Sequence, residues 1–207
     1  MDQDTKDFIL KYFNTGTWRK KYWMGKSLGK VPCDMIVQQE LIYKLKPDTI
    51  VECGTGEGGS ALFYYHCSVC AGKPAKVITI DIDANVGRAN YEKIVFIDGD
   101  CLDLEVFNKV KSMVSGTTLV ILDSTNQKEH ASKQLKLYPS LVTLGSYIIM
   151  DDTAMGDIIN IHRGLGPREA VEEFLKGNNE FEVDLECEKH LLTFNPGGYL
   201  RRVKWGN

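Results

Sequence analysis

No stretch of this 207-residue chain stays apolar long enough to span a membrane. None has the charged start and apolar centre of a secretory signal either, since Met1 to Asp7 is acidic and no apolar stretch follows it. Together these absences point to a cytoplasmic protein with no membrane partner. Positive charge is also scarce. The formal charge is −3, the pI is about 5.8, and no long basic run occurs, which argues against a nucleic-acid partner. A disulfide framework is lacking as well: the six cysteines are scattered at positions 33, 53, 67, 70, 101 and 187. Cys67-Ser-Val-Cys70, preceded by His66, has the spacing of half a zinc site but no second close pair, so reduced, packed thiols are the expectation. Repeats, low-complexity tracts and an interdomain linker are missing too. One domain over residues 1–207 is therefore expected.

The elements alternate. Phe8, Ile9, Tyr12 and Phe13 fit a short amphipathic helix, and Pro32–Leu45 reads as a second one. Between them lies Trp18–Lys30, an aromatic, basic and glycine-containing loop that reads either as a lid or as packing on a sheet edge. Residues 1–46 thus form an N-terminal helical cap, and 47–207 a Rossmann-like core. Strands are expected at 48–53, 76–82, 93–97, 118–123 and 146–151, with helices near 59–71, 84–91, 102–115 and 127–142. Such βαβ alternation predicts an α/β, doubly wound, mainly parallel sheet. In the tail, Pro167 opens a helix, and Phe181–Cys187, His190–Phe194 and Tyr199–Val203 read as edge strands with antiparallel pairing.

The most informative segment is Val51-Glu-Cys-Gly-Thr-Gly-Glu-Gly-Gly-Ser60, a strand that breaks into glycines and then into a helix. In α/β folds, nucleotide-like ligands bind at such a turn, because glycines let backbone approach the ligand and the helix start offers free N–H groups. The pattern Gly54-x-Gly56-x-x-Gly59 on its own also suits NAD. Glu52 discriminates, because a carboxylate there suits an ammonium group and not a pyrophosphate. That favours S-adenosylmethionine, with Glu52 and Ser60 at its methionine end and Gly54, Gly56 and Gly58 in the turn. Asp81, ending the second strand, is placed to accept from the ribose hydroxyls. Asp100, after the third strand, either meets the adenine edge or forms a plain turn.

Two further strands end in carboxylates, at Asp123 and at Asp151-Asp152. Their ends lie side by side in a parallel sheet, beside the glycine turn. Converging like charges repel, so such a cluster calls for a cation, and all-oxygen ligation suits Mg²⁺ or Ca²⁺. The competing reading is a helix cap and a turn.

The spacing of Asp123 and Asp151-Asp152 resembles the metal triad of Mg-dependent O-methyltransferases of the catechol and caffeoyl-CoA type. A closer resemblance, over roughly Trp23 to Arg202, is to the cephalosporin hydroxylase-like and rhamnosyl O-methyltransferase family. It is carried by Trp23-Met-Gly25, Pro32-Cys-Asp34, Gln39-Glu40, Val51-Glu-Cys-Gly54, Gly58-Gly-Ser60, Leu122-Asp-Ser124, Tyr138-Pro-Ser-Leu-Val142, Asp151-Asp-Thr153, Gly166-Pro167 and Asn195-Pro-Gly-Gly-Tyr-Leu200. The resemblance implies a class I methyltransferase fold, with a seven-stranded sheet whose last strand is antiparallel. It also implies S-adenosylmethionine as donor, a divalent cation held by Asp123, Asp151 and Asp152, and a small hydroxylated acceptor. Homo-oligomerisation is left open.

One position departs from the pattern. Where the family has a basic residue three places after the first metal aspartate, this chain has Asn126, and an amide is no base at neutral pH. His130, one helical turn on, is the candidate substitute. The alternatives are a bound metal that acidifies the hydroxyl, and a protein that binds S-adenosylmethionine with little or no activity.

Overall fold

The structure, a computed structural model, describes residues 3–83, 92–156 and 165–205. The helix expected near 84–91 lies outside the described residues. Six α-helices are seen: α1 (Gln3–Asn14), α2 (Pro32–Leu45), α3 (Gly59–Cys70), α4 (Leu104–Met113), α5 (Lys128–Leu137) and α6 (Pro167–Gly177). The supposed loop Trp18–Lys30 holds a small hairpin, β1 (Tyr22–Trp23) against β2 (Lys26–Ser27).

The main sheet has seven strands: β3 (Thr49–Cys53), β4 (Lys76–Asp81), β5 (Ile94–Asp98), β6 (Thr118–Leu122), β7 (Tyr147–Met150), β8 (Phe181–Val183) and β9 (Tyr199–Arg202). Their order is β5-β4-β3-β6-β7-β9-β8, parallel from β5 to β7, with β9 antiparallel to both its neighbours. This is the doubly wound sheet with an antiparallel last strand that the sequence implies. Alternate residues of each strand feed opposite faces. Val51, Ile78, Val120 and Ile148 pack with Phe107, Val110, Ala131, Leu135 and Val171 from α4, α5 and α6. On the other face, Ile50, Val77, Leu119 and Ile149 pack with Val37, Leu41, Leu62 and Tyr64 from α2 and α3. Both faces being covered, β3, β6 and β7 are buried at every residue, which is why they read as continuous apolar runs.

The tail departs from expectation in two places. The strand expected over Phe181–Cys187 stops at Val183, because the Asp184 side chain accepts from the Glu186 N–H and starts a 3-10 turn. His190–Phe194 forms no strand at all. Its Phe194 N–H and Thr193 hydroxyl donate instead to the buried Asp34 of α2, at 2.9 and 2.5 Å. The N-terminal cap closes over the same place, with Ile9 in a small cluster with Val31, Ala154, Met155 and Phe194. Among the described residues, no helix is long and apolar enough to cross a membrane.

Candidate active site at the carboxyl ends of the parallel strands

Register builds the site. Cys53 pairs with Leu122 and Leu122 with Met150, so the residues that follow, Gly54, Asp123 and Asp151, emerge side by side. The Asp123 N–H donates to the Cys53 carbonyl (2.8 Å) and the Asp151 N–H to that of Leu122 (3.0 Å), which ties the three strand ends together. Gly54, at φ 99°, passes so close to β6 that a Cβ there would collide with the Asp123 carbonyl oxygen. Gly56 and Gly58 also adopt left-handed φ, and the turn leads into α3. Gly59 has another reason to be glycine: the backbone of Lys26 and Ser27 lies against it, so the β1–β2 hairpin covers the start of α3. The hairpin is held there by Trp23, which packs edge-on to Phe63 at 5.0 Å and donates to His66 Nδ1.

On the β3 side of this turn, Glu52 is fully buried. One carboxylate oxygen accepts from the Thr79 hydroxyl at 2.6 Å, and the other, Oε1, is buried without a partner. Burial raises its pKa from 4.5 to about 7, partly opposed by Lys30. Asp81 occupies the end of β4 as expected, and it also braces the turn. Its Oδ2 accepts from the backbone N–H groups of Thr55 (2.9 Å) and Gly56 (3.0 Å). Ser60 is buried in the first turn of α3. Asp100 is exposed and accepts from the Leu102 N–H at 2.8 Å, so in this structure it forms a turn.

The acidic side contains a residue that the sequence reading passed over. Asp123, Asp151 and Asp152 do converge, around a space of about 10 Å³ that they share with Lys30, Asp34 and Asn195. The Lys30 ammonium lies between two of them, 2.6 Å from Asp123 Oδ2 and in hydrogen-bond contact with Asp151 Oδ2. Burial works against its charge, but Asp123 and Asp151 outweigh that and hold its pKa well above the usual lysine value. The other oxygen of Asp151 accepts from Asn195 Nδ2 (2.6 Å) and Gln38 Nε2 (3.2 Å). Asn195 in turn accepts from the Asp152 N–H at 2.7 Å. The Asp152 carboxyl is pushed well above its ordinary pKa by burial and then by Asp123 and Asp151. With an ammonium between two of the carboxylates, no three His, Cys, Asp or Glu side chains among the described residues are arranged as a metal-binding group. The three aspartates border one space all the same, and their oxygens are of the kind that a hard divalent ion takes.

A signal for Lys30 exists in the sequence. It is a lone charge in Leu28-Gly-Lys-Val31, between residues that turn out buried, and a lysine in such a place needs a partner. For Gln38 and Asn195 no local signal exists.

Beside the acids opens a cavity of about 350 Å³, lined by Asp123, Asn126 and Asp152 on one side and by Phe13, Trp18 and Phe194 on the other. Trp18 stacks on Phe13 at 5.5 Å. Asn126 is thus one of the residues that line this cavity. His130 does not join it: its Nε2 pairs with Ser124 Oγ (2.9 Å) and Cys101 Sγ (3.5 Å), and the ring is not part of the cavity wall.

A family model described as Rhamnosyl O-methyltransferase/CmcI matches residues 15–203. A rhamnosyl O-methyltransferase of Mycobacterium leprae (strain TN) is 29% identical over 209 residues, covering 97% of this chain and 91% of that one. One from Mycobacterium bovis (strain BCG / Pasteur 1173P2) is 30% identical over 210 residues, covering 97% and 86%. Among solved structures, CmcI with magnesium and SAM superposes with a TM-score of 0.72 at 23% identity, over 90% of this chain and 78% of that one. An O-methyltransferase from Bacillus cereus in complex with SAH gives 0.55 at 15% identity, over 88% and 83%. At such identities the structural likeness speaks for the fold.

Proposed function

The chain belongs to the Rhamnosyl O-methyltransferase/CmcI family, and from that premise we propose that it transfers a methyl group from S-adenosylmethionine to a hydroxyl of a small sugar or natural-product molecule. The observation that carries this reading is Glu52. A buried carboxylate with one orphaned oxygen, beside a glycine turn and a helix start, is costly unless a ligand donates to it. The ammonium of a methionine moiety supplies that donor. Asp81 spends some of its acceptor capacity on the turn and keeps the rest for ribose hydroxyls.

On the acceptor side, Trp18, Phe13 and Phe194 offer flat apolar faces to a ring, while Asn126, Asp123 and Asp152 orient its hydroxyls. The hairpin over α3 and the cap around Phe194 keep bulk water from the reacting groups. A divalent cation such as Mg²⁺, held by Asp123, Asp151 and Asp152, would supply Lewis acidity that makes the acceptor hydroxyl a better nucleophile. Asn126 positions the acceptor by hydrogen bonding and takes no proton. The acceleration then comes from alignment and electrostatics.

Transfer of labelled methyl groups from S-adenosylmethionine to a panel of glycosides and polyols, with and without Mg²⁺, tests this reading. A second reading, donor binding without turnover, is favoured by Asn126 and by the engagement of His130 elsewhere. Calorimetric binding of S-adenosylhomocysteine with no label transferred to any acceptor would select it.

A further inference from the structure

Lys30 is unaccounted for by the methyl-transfer chemistry, although its ammonium occupies the centre of the acidic cluster. We infer that Lys30 is the resident counter-ion of Asp123 and Asp151, and that a divalent cation reaches these carboxylates only by displacing it. This rests on the proposal that the cluster receives such a cation.

The geometry sets the two cations in competition. Asp151 Oδ1 is committed to Asn195 and Gln38, so Oδ2 is the oxygen free to take a cation, and the ammonium holds it. Asp123 offers Oδ2 to the same ammonium at 2.6 Å. A magnesium ion needs oxygens at about 2.1 Å in octahedral array, and the space left between the acids is about 10 Å³, no more than one water requires. The ammonium and a metal ion compete for that pair of oxygens.

The backbone on both sides of Lys30 is tied down. Leu28 and Val31 on either side are buried, and the Lys30 carbonyl accepts from the Lys21 ammonium. Removing the lysine charge without supplying another cation would leave two carboxylates buried and uncompensated, which is strongly destabilising. The lysine thus keeps the site folded while no ion is bound, and it weakens the site's grip on the ion that replaces it.

Mn²⁺ titration of the full chain, followed by electron paramagnetic resonance, tests this in wild type and in Lys30→Met, whose side chain has similar length and no charge. The variant is expected to bind Mn²⁺ about tenfold or more tightly than wild type, the least expected on removing a unit charge next to the ion. Chelator should lower the unfolding temperature of Lys30→Met more than that of wild type, and Mn²⁺ should restore the variant. Equal Mn²⁺ affinities would overturn the inference and leave the cation reading standing. Failure of both proteins to bind Mn²⁺ would remove the cation reading, and the inference with it. A second measurement needs no variant: Mg²⁺ titration of wild type with ¹³C-labelled lysine. Lys30 should lose its buried, ion-paired ε-carbon signal as Mg²⁺ saturates; an unchanged signal at saturation overturns displacement.

Discussion

Glu52 and Gly54 sit two positions apart and are constrained in opposite ways. Glu52 is held by chemistry. Because burial raises its pKa from 4.5 to about 7, the ligand-free fold gains from this group at low pH, and that gain is lost as pH rises from about 4.5 through about 7. A bound ammonium reverses the preference, since it pairs only with the carboxylate. Affinity for S-adenosylmethionine is therefore expected to rise with pH and to level off above about 7, with proton release on binding below that point. Calorimetry in buffers of different ionisation enthalpy reads this directly, and Glu52→Gln should flatten the profile and weaken binding about tenfold or more. Gly54 is held by geometry. Its φ of 99° and the carbonyl of Asp123 leave no space for a methyl group. Gly54→Ala should cost about 3 kcal/mol or more of stability in urea unfolding, and donor binding with it.

The elements differ in how far their own residues define them. The central strands were legible because each is a short, fully buried apolar run, and α2 because Pro32 opens it and Lys46-Pro47 closes it. His190–Phe194 misled because Leu191, Leu192 and Phe194 look like a strand, yet its Thr193 hydroxyl and Phe194 N–H donate to Asp34, a residue 160 positions earlier than Phe194. No local pattern shows such a partner. The acidic cluster was legible as three strand-end aspartates. The lysine inside it was legible only as a lone charge among apolar neighbours; its partners were not, since it comes from the cap segment and meets them only in the folded chain. Asp34 also binds the Tyr199 hydroxyl (3.1 Å), so one carboxylate fixes both the segment that carries Asn195 and the start of β9. Asp34→Ala should destabilise the protein by about 2–4 kcal/mol in urea, because three buried donors lose their acceptor. Asp34→Asn should cost less, since the amide keeps one acceptor oxygen.

At the scale of the whole molecule, the two sides of the site draw on different parts of the chain. The proposed donor side is built within the core, from β3, β4 and α3. The cavity proposed for the acceptor borrows Phe13 and Trp18 from the N-terminal cap and Phe194 from the tail. Trp18→Ala is thus expected to raise KM for the acceptor about tenfold while leaving S-adenosylhomocysteine affinity unchanged, a separation that steady-state kinetics and calorimetry together reveal.

β9 lies between β7 and β8, so β8 reaches the rest of the sheet only through a strand that follows it in the chain. Arg202 at its end donates to the carbonyls of Pro139 (3.0 Å) and Val142 (2.8 Å) and to Glu180, pinning three separate segments together. Asn195, which steers Asp151 and Asp152, comes only a few residues before it. One short run of chain, from Asn195 to Arg202, thus couples the outer edge of the sheet to the acid cluster.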